Sequence, residues 1–131
     1  MKYLYAILSW GIVALGVLHM LATFRLFHTL NGAALWFFSG GIVLVLTGAL
    51  NLLHRVYGRI APGLRRVCIG TNIFMTIFGV LSGVVSHAGI AGFMLVLGLI
   101  GGATVLSLSR RALIQLPNSP TPYNDRRDDV T

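Results

Sequence analysis

Residues 33–53 read AALWFFSGGIVLVLTGALNLL, a run with no Lys, Arg, Asp or Glu. A helix rises 1.5 Å per residue, so roughly 20 residues cross a hydrocarbon core about 30 Å thick. The run has the length and the apolarity for that crossing. On its two sides the pattern recurs. Tyr3–Phe24, Val67–Ser86 and Gly89–Ser109 are equally free of those four residue types. All four prolines, Pro62, Pro117, Pro120 and Pro122, fall outside the four stretches, so nothing forces a break within a helix. The pattern predicts an all-α membrane protein with four transmembrane helices.

Composition agrees. The 131 residues are 56% hydrophobic and 10% charged, with a mean hydropathy of +0.83. A soluble domain carries about 25% charged residues. So few charges in water would leave large apolar patches that drive association. The net charge of +7 does not point to nucleic acid. Its basic residues sit at the ends of apolar runs, where they meet lipid headgroups. Lys2 ahead of the first stretch resembles the start of a signal peptide. The run is too long for one and no small-x-small cleavage pattern follows, so the first stretch reads as a retained helix.

The connections are short. Arg25–Gly32 joins the first two spans, His54–Arg66 the next two, and only His87 and Ala88 separate the last two. Short connections make neighbours antiparallel, which gives an up-down-up-down bundle. Residues 1–115 form this domain, with helix continuing to about Gln115. Residues 116–131, rich in proline and mixed charge, read as a disordered tail. Seven basic residues gather at one side: Lys2, Arg55, Arg59, Arg65, Arg66, Arg110 and Arg111. Arg25 stands alone at the other. The positive-inside rule places both termini in the cytoplasm. Tyr3, Tyr5 and Tyr57 then read as anchors at the inner interface, and Trp36 at the outer one. The single cysteine, Cys68, excludes an intrachain disulfide and reads as a packed residue near the inner boundary, where it offers a probe of sidedness.

Small and polar residues recur at helical spacing. The series are Ser9, Ile12, Gly16, His19, Thr23; Phe37, Gly41, Leu44, Gly48, Asn51; Cys68, Asn72, Met75 or Thr76, Gly79, Gly83, Ser86; and Ala91, Leu95, Gly98, Gly102, Val105, Ser109. Lipid offers helices no hydrophobic reason to associate, so close approach over small residues and inter-helix hydrogen bonds must hold them. These faces read as packing seams. Gly98 and Gly102 also form a GxxxG pair that could bind a second copy or a partner subunit.

Two polar groupings remain. Asn51 and Asn72 lie at similar depth near the inner end and could share an amide hydrogen bond, with His54 and Arg55 just beyond. At the outer end, His19, His28 and His87 accompany Ser39, Ser82 and Ser86. A histidine in an apolar span is costly unless neutral and hydrogen-bonded. His19 is therefore either bonded to a neighbouring serine or carbonyl, or joined with His87 at a haem, metal or quinone head group. The arginines Arg55, Arg59, Arg65, Arg66, Arg110 and Arg111 read as lipid-headgroup contacts.

No glutamate is present, and Asp125, Asp128 and Asp129 all lie near the end of the chain. Proton-coupled small exporters need a carboxylate within the membrane, which this body lacks. In layout the chain resembles the small four-span bacterial inner-membrane proteins grouped as DoxX-like, over residues 3–109. The resemblance implies an inner-membrane location and an accessory or quinone-linked role, and carries no functional residue with it. Two classes of function follow. One is an accessory or assembly partner without catalysis. The other is a redox-linked membrane protein that binds a cofactor or small ligand through the outer histidines.

Overall fold

A computed structural model describes residues 1–85 and 90–114. Its architecture is four helices: α1 (Lys2–Leu26), α2 (Gly32–Tyr57), α3 (Pro62–Val85) and α4 (Ile90–Leu108), then a short 3-10 turn at Arg110–Ala112. All four are long and apolar enough to cross a membrane. Helices α1, α2 and the start of α3 overrun the charge-free stretches, taking charged residues into their end turns, whereas α4 stays within its stretch. Phe27 takes extended backbone and ends α1. Asn31 starts α2, its side chain accepting a hydrogen bond from the Ala34 amide at 2.8 Å. Proline at the first position of α3 costs nothing there, since its missing N–H would have no partner. The turn between α2 and α3 thus shrinks to residues 58–61, and His54 and Arg55 become helical.

Glycine notches set the closest approach, between α1 and α2. A Cβ on Gly16 would lie 2.7 Å from the Gly41 carbonyl, and one on Gly48 would lie 2.8 Å from the Ser9 carbonyl. Backbone atoms cannot yield as a side chain would, so only glycine permits this spacing. Partners run in opposite order along the two helices, from Gly16 with Gly41 to Ser9 with Gly48 and Tyr5 with Asn51. Helix α4 leans on α1 through Leu99 against Gly11 and Leu8 against Gly102. Phe93 of α4 covers Gly83 of α3. Tyr5, Ile12, Leu44, Met75, Ile100, Ala103 and Leu106 form the core, joined by Ala112 and Leu113 from beyond α4.

Three expectations from the sequence are corrected. Helix α4 does not run to Gln115. Ser109 is extended, and the chain turns back beneath the bundle. There Ala112 and Leu113 are buried, and the Ile114 amide donates to the Arg55 carbonyl at 2.8 Å. Burying two apolar side chains outweighs continuing a helix into solvent. Second, the packing face of α4 is not the series through Leu95, Gly98 and Val105, which are exposed. It is Ile100, Ala103, Leu106 and Ser107. This helix is apolar all round, so glycine spacing had no amphipathic signal to check it. Third, Tyr5 is no interfacial anchor. It is fully buried, while Tyr3 and Trp36 are each 82% exposed.

Candidate functional site

The bundle buries one concentrated group of polar side chains, at the end that carries most of the arginines. Tyr5 of α1, Asn51 and His54 of α2, and Cys68 and Asn72 of α3 are each 0% exposed. Such groups are tolerated in an apolar interior only if they satisfy one another. The two asparagines form a reciprocal amide pair. Asn51 Nδ2 donates to Asn72 Oδ1 at 2.8 Å, and Asn72 Nδ2 donates to Asn51 Oδ1 at 2.8 Å. Asn51 Nδ2 also donates to the Thr47 carbonyl at 2.8 Å. Both amide orientations follow from these partners.

The amide pair decides where the remaining protons lie. Asn51 Oδ1 is an acceptor, so the Tyr5 hydroxyl donates to it at 2.7 Å. The same hydroxyl lies 2.8 Å from His54 Nδ1. A hydroxyl has one proton to give, so Nδ1 carries the proton of that second bond and the Tyr5 oxygen accepts it. The neutral His54 ring is thereby held in its Nδ1–H tautomer, with a lone pair on Nε2. That nitrogen is buried and has no hydrogen-bond partner. Cys68 completes the group with long sulfur contacts: its thiol donates to Asn51 Oδ1 at 3.6 Å, and its sulfur accepts from Asn72 Nδ2 at 3.7 Å.

The polar path continues into the fourth helix. The Asn72 carbonyl accepts from Thr76 at 2.8 Å and from Thr104 of α4 at 3.2 Å, and the two threonine hydroxyls are 2.9 Å apart. One unbroken chain of hydrogen bonds therefore runs from α1 through α2 and α3 to α4. Thr47, Ser9 and Ser107 return their hydroxyls to carbonyls of their own helices, at 2.8, 2.7 and 2.7 Å.

Depth in the sequence brings Asn51 and Asn72 together and sets His54 just beyond them, but it assigns Tyr5 to the interface. The missing signal was in the seams themselves. Four residues before Ser9 is Tyr5, and three after Asn51 is His54. Each extends its series by one turn.

The arginines flank this group. The backbone carbonyl of Arg55 takes the Ile114 amide. Arg59 reaches the 3-10 turn and Arg65 the end of α4, donating to the carbonyls of Arg110 at 3.0 Å and Leu108 at 3.1 Å. Arg66, Arg110 and Arg111 are exposed.

At the opposite end, His19 is half-buried and stacks on Phe37, with ring centroids 3.9 Å apart and planes inclined by 19°. Gly40 makes room for it, since a Cβ there would lie 3.3 Å from His19 Nε2. His28 is exposed in the connection after α1, beside an open cavity of about 520 Å³ lined by Phe24, Phe27, Ala34 and Phe38 among others. His87, the expected companion of His19, lies outside the described residues. Among the described residues, no three His, Cys, Asp or Glu side chains gather as a metal site would require. Gly102 rests against Leu8, whereas Gly98 is open, with nothing within 4 Å of an added Cβ.

No protein-family model, curated protein or solved structure matches the chain.

Proposed function

We propose that this chain is a small multi-pass protein of the bacterial inner membrane that works as an accessory or assembly partner, without catalysis of its own. In this reading its helices run up-down-up-down, with both termini and the turn at residues 58–61 in the cytoplasm. The observation that supports it is the use of the buried polar groups. Tyr5, Asn51, Asn72 and Cys68 direct their hydrogen bonds at one another and at the backbone, as a structural clasp does. What is left open is a surface. Gly70 and Gly79 of α3 and Gly98 of α4 meet nothing within 4 Å, and a neighbouring helix can approach most closely over glycine. His19 already has an aromatic partner in Phe37, which favours this reading over a haem, metal or quinone held with His87. The layout shared with DoxX-like proteins adds no residue to the argument.

Two measurements test it. Native membranes dispersed in a lipid-preserving polymer should yield the chain together with a second copy or a partner subunit; a chain that migrates only as a monomer would remove the assembly role. Sidedness needs engineered probes, because Cys68 is fully buried and a poor target for thiol reagents. Arg66→Cys should stay unlabelled by an impermeant reagent on intact cells, and Thr29→Cys should label. The reverse pattern would invert the topology.

A further inference from the structure

The α2–α3 turn and the segment after α4 enclose a cavity of about 230 Å³ at the arginine-rich end. Gly58, Arg59, Pro62, Arg65, Arg110 and Leu113 line it. Three of these residues are cationic, and no carboxylate among the described residues balances them. The only acidic side chains of the chain are Asp125, Asp128 and Asp129, beyond the described residues. Like charges held together without a counter-charge repel, so the arrangement favours a bound anion.

The donors are also positioned in advance. Arg59 and Arg65 are each tethered through one terminal nitrogen, Arg59 to the Arg110 carbonyl in the 3-10 turn and Arg65 to the Leu108 carbonyl that ends α4. A guanidinium has five N–H donors in a fixed plane, so most of each fork remains available. Arg65 Nε is buried without a partner. Pro62 opens the 24-residue helix α3, whose first-turn amides and dipole add positive character at this wall.

A second observation comes from the polar cluster. His54 is 0% exposed, and its Nε2 has no partner. That nitrogen faces Gly58, the wall of the cavity, where an added Cβ would sit only 2.7 Å away. Gly58 has ordinary right-handed helical backbone, so glycine is needed there for space and not for conformation. Because Nε2 carries a lone pair, it meets a phosphate only through a donating group, a bound water or a P–OH.

We propose that this cavity is a phosphate site, in which Arg59, Arg65 and Arg110 grip the oxygens of a phosphate group. Guanidinium forks match phosphate geometry and form strong charge-assisted bonds with it. The phosphate has two chemical sources, an anionic lipid headgroup and free inorganic phosphate.

The full chain in phosphatidylcholine nanodiscs, titrated with inorganic phosphate and followed by phosphorus NMR, tests the site. Saturable binding is expected. Arg110→Gln should weaken it about tenfold, as expected for losing bonds to a charged donor. Arg111→Gln removes the same charge next door, outside the cavity lining, and should change affinity less than about twofold under salt screening. Circular dichroism and the phosphate-free melting temperature of both variants should match the parent. Adding phosphatidic acid to the nanodiscs separates the sources. Competition with inorganic phosphate, or binding of the lipid alone with the same dependence on Arg110, assigns the site to a headgroup. Phosphate binding unaffected by the lipid assigns it to the free ion. Equal weakening by Arg110→Gln and Arg111→Gln would mean diffuse charge attraction and would overturn the site. So would binding of neither probe, or binding that appears only after Asp125, Asp128 and Asp129 are replaced by Asn, which would make the chain's own tail the occupant.

Discussion

The two ends of the bundle meet the cost of burying polar groups in different ways. At the arginine-rich end, five polar or weakly polar side chains from three helices are withdrawn from solvent and bonded in one cluster, which a threonine contact extends to the fourth helix. At the other end, His19 remains half-exposed and rests on the face of Phe37, while an open cavity separates residues of α1 and α2. Helix α3 divides in the same way. Its buried residues are Cys68, Asn72 and Met75, and none follows Met75 toward its other end. Hydrogen bonding concentrated at one end makes that end the anchor of the fold, with apolar and aromatic contacts sufficing at the other.

The sharpest way to break this contrast is to cut the amide pair. Asn51→Leu leaves the Asn72 amide and the Tyr5 hydroxyl short of partners, and should destabilise the fold by about 2 kcal/mol in mixed-micelle unfolding. Asn72→Leu should cost about 1.5 kcal/mol, near the upper end for inter-helix bonds in membranes. The double variant should cost less than the sum, because each single change already forfeits the shared bonds. Strict additivity would show that the two residues stabilise the bundle independently.

Tyr5→Phe is a gentler cut. It keeps the ring and removes the hydroxyl between Asn51 and His54, so it should cost about 1 kcal/mol. The same change should abolish the Nδ1–H signal of His54 at its hydrogen-bonded position in nitrogen-detected NMR. If stability and that signal both survive, the proton placement derived for the cluster is wrong. At the far end, His19→Leu should cost no more than about 0.5 kcal/mol, because stacking on Phe37 is replaced by apolar contact. A loss as large as that of Asn51→Leu would erase the difference between the ends.

The four helices were legible because length and the absence of charge suffice to recognise a membrane span. The seam on α2 was legible too, since Gly41, Leu44, Gly48 and Asn51 are all buried on it. Depth alone aligned Asn51 with Asn72. The sequence was less informative where one cue stood in for another. Tyr5 has the composition of an interfacial anchor and the position of a core residue, and position governs. Helix α4 has glycines on one side and its contacts on another, because a uniformly apolar surface does not specify which side faces inward. The segment after Ser109 could not be read locally. Its path depends on guanidinium donors from Arg59 and Arg65 and on the Arg55 carbonyl, residues far away in the chain.

That returning segment has a mechanical consequence. Ala112 and Leu113 are buried under the bundle, and Ile114 is bonded to Arg55. A proteolytic machine that grips the residues after Ile114 therefore pulls first on α2, through the Arg55 carbonyl, and only afterwards on α4. Its first stroke must peel away a short strap, with α4 still seated. In a single-molecule pulling experiment from the C-terminus, this appears as a small extension of a few residues before the first helix leaves the membrane. Replacing Leu113 with Asp should erase that first step and leave the helix-extraction force unchanged.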